Sequence, residues 1–232
     1  ALRDMIRRED NAAIAACKGV FTISQNVTGR LKQYNNIASE VLYPPPRSME
    51  RFRVESYGDF FFFPSRITPI KRQELVIESL VHVPESVQVV FAGEADSPHY
   101  LETLKKRAQE LGVTDRIRWA GRISEEEKFD LYANALMVIF TPVDEDYGYV
   151  TPEAMLSSKA VLTLEDAGGA TEFVQHDKNG LIVQADPRAM ALAMTRIWND
   201  RDEAQRLGVA ARARVEEIDL SWDKILERLL QP

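Results

Sequence analysis

A chain of 232 residues with 45% apolar and 28% charged residues has the composition of a folded globular protein. Its 36 acidic and 29 basic residues leave a net charge of −7, which speaks against nucleic acid or anionic lipid as a partner held by bulk charge. One cysteine (Cys17), no apolar run near the roughly 20 residues of a membrane span, and a charged start from Ala1 to Asp10 exclude a disulfide scaffold, a zinc module, an integral membrane protein and a secretory leader. What remains is a cytoplasmic enzyme or binding domain.

Val20 to Ile23 reads as a strand and Ser24 as the N-cap of a helix reaching about Tyr34. Val41 to Tyr43 is extended and runs into Pro44, Pro45 and Pro46, a stiff connector, so the domain boundary is expected at residue 46. The wholly apolar Phe60 to Phe63 predicts a strand covered on both faces. Val76, Ile77, Leu80 and Val81 recur at helical spacing, and Val87 to Phe91 is a second buried strand. A helix from about Tyr100 ends before Gly112, a residue suited to the left-handed C′ position. Ile117 to Ala120 is a third strand, and Ser124 with Glu127 forms a capping box for a helix to Ala133. Leu136 to Phe140 is a fourth strand, Pro152 opens a helix, and Ala160 to Leu164 is a fifth strand. A short helix is expected over Thr171 to His176, then a sixth strand at Leu181 to Val183, one helix from Pro187 to Leu207, and a last helix through Trp222, Ile225, Leu226 and Leu229.

Strands alternating with helices predict an α/β fold: a Rossmann-like parallel sheet with helices on both faces. Ligands of such sheets lie beyond the carboxyl ends of the strands, which directs attention to 64–71, 93–96, 121–123, 141–153 and 168–172. In the segment 141–153, Gly148 permits close approach of the backbone to a ligand, and the helix start beyond it offers amides to a phosphate. Glu145 and Glu153, with seven residues between them, have the chemistry to accept hydroxyls of a sugar and of a ribose; they equally fit acidic residues that favour a helix N-terminus. Arg66 and Lys71 on one loop can clamp a diphosphate, or can be a solvated basic loop. Asp144 and Asp146 have a spacing that can hold Mg²⁺ or Mn²⁺. His82, His99 and His176 have no ligand spacing.

The stretch Glu145-Asp-Tyr-Gly-Tyr-Val-Thr-Pro-Glu153 resembles the signature of glycosyltransferase family 4, and Ser65-Arg66-Ile-Thr-Pro-Ile-Lys71-Arg72 resembles that family's phosphate-binding loop. Phe91-Ala-Gly93-Glu, Trp119-Ala-Gly121-Arg-Ile123, Gly168-Gly-Ala-Thr-Glu172 and Asn179-Gly180-Leu-Ile-Val are similar to its further elements in order, over roughly Val41 to Trp222. The resemblance implies a GT-B fold and a retaining, metal-independent transfer of a hexose from a nucleoside-diphosphate sugar to a glycan or lipid-linked acceptor, with no cofactor. By position it makes Arg66, Lys71 and Glu145 the catalytic residues: the first two on the diphosphate, the third on the donor sugar. It gives the nucleotide-sugar to Gly93, Gly121, Ile123, Tyr147, Gly148, Tyr149, Val150 and Glu153, with Glu153 on the ribose. Asp146, where the family most often has Gly, is reminiscent of mannosyltransferase-like members and points to GDP-mannose.

Residues 1–46 then read as the tail of an amino-terminal domain plus linker, and 47–232 as the nucleotide-sugar-binding domain with closing C-terminal helices. The acceptor-binding domain would lie in a longer protein, so this chain alone is expected to bind nucleotide with little transfer. A place at the inner face of a membrane belongs to the same expectation for the longer protein, whose pathway would be polysaccharide biosynthesis. Two alternatives stay beside it: a non-catalytic nucleotide-sugar-binding module, and a metal-dependent transferase using Asp144 and Asp146. A dehydrogenase is set aside, because no Gly-x-Gly-x-x-Gly loop follows the first strand of the series.

Overall fold

The computed structural model describes residues 2–230, which fall into two compact units: the residues up to Pro45 with those from Leu220 onward, and Pro46–Asp219. In the first, α1 (Leu2–Ala15) is followed by β1 (Phe21–Thr22), α2 (Gln25–Asn35) and β2 (Glu40–Val41), which pairs parallel with β1. Ser24 caps α2 as its residue type predicts, its hydroxyl accepting from the Val27 amide at 3.0 Å.

The second unit is one parallel sheet with its helices. In chain order it contains β3 (Phe61–Pro64), α3 (Gln73–Ser79), β4 (Val89–Ala92), α4 (Pro98–Glu110), β5 (Ile117–Gly121), α5 (Glu125–Asn134), β6 (Met137–Ile139), α6 (Val150–Leu156), β7 (Val161–Leu164), β8 (Gly180–Val183), α7 (Pro187–Asn199) and α8 (Arg201–Ile218). A final α9 (Trp222–Leu230) belongs to the first unit. The six strands lie in the order β5-β4-β3-β6-β7-β8, all parallel. Chain order thus reverses direction between β3 and β6, the kind of switch point where ligands bind in open sheets.

The core explains why the apolar runs are unbroken. Phe61, Phe62 and Phe63 are all fully buried. Phe61 stacks on Trp198 of α7, whereas Phe62 meets Tyr132 of α5 edge-on at 5.1 Å, so successive side chains of β3 serve opposite layers. A strand packed on both faces has no solvated side to alternate towards. Truncating such a Phe to Ala would cost about 3–5 kcal/mol.

Three expectations fail. The helix expected from Pro187 to Leu207 is two helices, broken at Asp200 (φ −131°, ψ 92°), whose carboxylate caps α8 by accepting from the Glu203 amide at 2.9 Å. The expected helix over Thr171 to His176 is a single 3-10 turn, Gly169–Glu172. There the buried Asn179 side chain takes over the local backbone, accepting from the Gln175 amide at 2.6 Å and donating to the Phe173 carbonyl at 3.0 Å. Finally, α6 begins at Val150, two residues before Pro152. Among the described residues, no helix is long and apolar enough to cross a membrane.

Candidate functional site

Beyond the carboxyl ends of the strands the loops continue the sheet by single parallel bridges, Ile67 to Ala95 and Glu145 to Gly168. Gly93 donates to the Gly121 carbonyl at 2.8 Å, Val143 to that of Ile70 at 2.9 Å and Asp144 to that of Asp166 at 2.9 Å. Gly169 donates to the Glu145 carbonyl at 2.7 Å. Backbone pairing therefore draws the segments that follow five different strands along one edge. Two glycines make the approach possible. A Cβ on Gly93 (φ +154°) would run into the Ser65 carbonyl, and one on Gly169 would lie 2.5 Å from the Asp146 oxygen.

Lys71 ends a 3-10 turn (Pro69–Lys71) begun by Thr68 in an extended conformation, with Pro69 at the first position. The turn is locked onto the loop after β6: the Thr141 hydroxyl donates to the Lys71 carbonyl at 2.9 Å, and Arg72 donates to the Thr141 carbonyl at 3.0 Å. The Arg72 guanidinium also grips Asp166 through both nitrogens, at 2.6 and 3.0 Å, tying three loops together. That anchor delivers the Lys71 ammonium to Glu145, with which it forms an ion pair while facing the Phe140 ring at 5.2 Å. Their side chains are only 13% and 24% exposed, so the pair is poorly screened by water. Arg66 stands apart from this. Its side chain is 68% exposed and its guanidinium pairs with Asp96 at 3.0 Å.

Glu153 lies on α6 and is held by the neighbouring helix α5: the Tyr132 hydroxyl donates to its Oε2 at 2.8 Å, and the Lys128 ammonium lies 3.4 Å from its Oε1. Burial raises the Glu153 pKa above the ordinary carboxylate value, and Lys128 and the Tyr132 hydrogen bond oppose the rise. The fully buried Tyr132 has its own pKa pushed well above 10.0, first by burial and then by the Glu153 charge.

Between the two glutamates, Gly148 adopts φ +81°, and a Cβ there would meet Phe140 at 2.7 Å and the Glu145 side chain at 3.3 Å. Tyr147 is buried against Phe173 (5.5 Å) and Tyr149 (4.9 Å), whereas Tyr149 itself is 46% exposed. Tyr147 is therefore core. At the helix start Thr151 donates to the Gly148 carbonyl at 3.0 Å and Pro152 has no N–H. Gly121 (φ +63°) ends β5 at the same edge, and Ile123, half-buried, follows it. Asp144 and Asp146 are both exposed; among the described residues no group of three or more His, Cys, Asp or Glu is placed to hold a metal ion.

Sequence reasoning missed Lys128, Tyr132, Asp96 and Asp166. Lys128 and Tyr132 carry a signal in their i, i+4 spacing on a capped helix, but what they point at is decided by the packing of α5 against α6.

Comparison with known proteins agrees with this architecture. A structure of Anabaena HepE in complex with UDP and glucose superposes with a TM-score of 0.81 at 22% identity, covering 92% of this chain and 63% of that one. The sucrose-phosphate synthase of Thermosynechococcus elongatus gives 0.82 at 22% identity, over 97% and 60%. At those identities the likeness shows the fold: a Rossmann-like parallel sheet flanked by helices, as in GT-B glycosyltransferases. Among curated relatives, the GDP-mannose-dependent alpha-(1-6)-phosphatidylinositol monomannoside mannosyltransferase of Mycobacterium tuberculosis is 31% identical over 71% of this chain. An alpha-1,3/1,6-mannosyltransferase of Dictyostelium discoideum is 30% identical over 57%. The chain spans 44% of the first and 33% of the second. The model of the family described as glycosyl transferases group 1 matches residues 45–214, and with the ordered motifs at the carboxyl edge of the sheet the chain belongs to that family.

Proposed function

We propose that this chain is the donor-binding half of a retaining, metal-independent glycosyltransferase that moves a hexose from a nucleoside-diphosphate sugar, GDP-mannose in the first instance, to a glycan or lipid-linked acceptor. The observation that carries the reading is the poorly hydrated Lys71–Glu145 pair at the sheet's switch point, with Glu153 on the helix that follows. A cation and a carboxylate side by side suit a donor whose diphosphate lies next to a sugar bearing hydroxyls. Lys71 would take the charge that develops on the departing diphosphate, and Glu145, released from Lys71, would accept from the sugar hydroxyls. Arg66 can join the diphosphate at little cost, since an exposed pair such as Arg66–Asp96 contributes about 0–1 kcal/mol. The retained configuration follows from attack on the same face from which the diphosphate departs, with catalysis resting on position and fixed charge and not on a protein nucleophile. The names of the mannosyltransferase relatives support the mannose reading. The acceptor, and any membrane contact, would belong mainly to the longer protein.

Calorimetric titration of this chain with GDP, UDP, GDP-mannose and UDP-glucose, with and without EDTA, tests the proposal. Binding that prefers the guanine nucleotides, ignores EDTA and weakens at least about tenfold in Lys71→Met is the expected result. Loss of binding in EDTA would overturn metal independence in favour of Asp144 and Asp146. Silence with all four ligands would overturn the donor-site reading of this chain.

A further inference from the structure

Glu153 is gripped from behind by two side chains one helical turn apart on α5. Lys128 and Tyr132 stand at i and i+4, so they share a face, and both reach the same carboxylate. Their holds differ in kind. The Tyr132 ring is fully buried and fixed edge-on by Phe62 at 5.1 Å and Phe52 at 5.7 Å, so its hydroxyl has one place to point: Oε2 of Glu153, at 2.8 Å. Lys128 instead supplies charge. Its ammonium lies over the Phe129 and Phe52 rings, at 5.2 and 5.7 Å, and is shared with Glu125 at 3.2 Å. A hydroxyl donates along a fixed direction, whereas an ammonium is a rotating point charge.

We propose that Tyr132 is a positioning residue for nucleotide recognition: it pins one oxygen of Glu153 so that the remaining acceptor capacity of the carboxylate meets the ribose diol, while Lys128 keeps that carboxylate ionised. This rests on the assignment of Glu153 to the ribose made above. A carboxylate free to rotate would lose part of its advantage over water in accepting two hydroxyls, because ordering it would fall to the binding step. The arrangement also makes recognition pH-dependent. The charged and titratable groups facing Glu153 are Lys128, Tyr132 and Glu125 on α5 and Tyr149 on its own segment. With burial raising the Glu153 pKa, removal of either donor raises it further, so the ribose preference is lost at a higher pH as the solution is acidified.

The test compares the affinity of this chain for the better-binding nucleoside diphosphate, GDP or UDP, with that for its 2′,3′-dideoxy analogue, from pH 5 to 9. The wild-type chain is expected to prefer the ribonucleotide about tenfold at neutral pH. Tyr132→Phe, which keeps the ring, is expected to cut that preference to about twofold while leaving affinity for the dideoxy analogue unchanged. Lys128→Met is expected to keep the preference at high pH and lose it at a higher pH than the wild type. Glu153→Gln is expected to abolish it. An intact preference in Tyr132→Phe, with loss in Glu153→Gln, overturns the positioning role and leaves the ribose assignment standing. Equal weakening of both nucleotides in Tyr132→Phe also overturns it, since a merely structural tie between helices would act so. An intact preference in Glu153→Gln overturns the ribose assignment and the inference with it.

Discussion

Individual residues at the sheet edge are set by contacts made at distances of one side chain. Gly148 is the clearest case: its left-handed φ of +81° and the Phe140 ring 2.7 Å from where a Cβ would stand leave no room for any other residue. Gly148→Ala is therefore expected to cost at least about 1 kcal/mol in stability and to displace Glu145, weakening nucleotide binding; thermal unfolding and titration of the same variant check both. A variant with unchanged melting and unchanged affinity would refute the role given to this glycine. At this scale the sequence singled out candidate residues by type. Arg66, Lys71, Glu145, Gly148 and Glu153 all announce themselves as charge or glycine beside a strand end. Their partners were not legible, because Asp166 lies 94 residues from Arg72 and Tyr132 lies 21 from Glu153. Tyr147, which the resemblance gives to the nucleotide-sugar, is buried in the core between Phe173 and Tyr149.

Elements were legible where a local rule decides them. The capping box at Ser124 is present in full: the hydroxyl accepts from the Glu127 amide at 3.2 Å, and the Glu127 carboxylate accepts from the Ser124 amide at 2.9 Å. Ser124→Ala is expected to destabilise the fold by about 1 kcal/mol, read from urea unfolding, without abolishing nucleotide binding. Where two readings compete locally, packing chose. The run from Pro187 to Leu207 has helical periodicity throughout, yet Asp200 with Glu203 three residues on is also a helix start, and the chain turns there. The turn lets α8 lay Gly208 against the Ser158 carbonyl and the Tyr57 hydroxyl, a contact that a Cβ would block. Gly208→Ala is accordingly expected to lower the melting temperature by several degrees, at about 2–4 °C per kcal/mol for a chain of this size. An unchanged melting temperature would mean that α6 and α8 can move apart freely.

At the scale of the whole molecule, packing buries a charge that no local rule foretold. Lys159, between α6 and β7, is fully buried; its ammonium donates to the Ser56 carbonyl and lies 3.9 Å from the Tyr57 ring centre. Burial lowers its pKa from 10.5 to about 7. Unfolded chain therefore binds a proton that folded chain does not between pH 10.5 and about 7, so stability rises with pH across that window. The contribution is fully present above the unfolded value and is lost as pH falls through about 7, a change on the order of a few kcal/mol. Lys159→Met is expected to flatten this slope and to be more stable than the wild type at pH 6, the gain being trimmed by a Ser56 carbonyl left without its donor. Urea unfolding at pH 6 and pH 9 measures it, and parallel pH profiles for the two proteins would sink the idea.

Composition, periodicity and turn chemistry were sufficient to determine a parallel α/β sheet, six strands in its main series, the helix caps at Ser24 and Ser124 and the edge along which the candidate site residues lie. Those properties depend on neighbours a few residues apart: solvent-exposed and buried positions, backbone donors at helix starts, glycines at strand ends. Tertiary structure alone decided the pairing of Lys71 with Glu145, the grip of Lys128 and Tyr132 on Glu153, the pairing of Arg66 with Asp96, and the burial of Lys159. Each of these is set by the order and spacing of strands in the sheet. That order brings together residues tens of positions apart, and electrostatic and hydrogen-bond energies change with fractions of an ångström that no sequence pattern encodes.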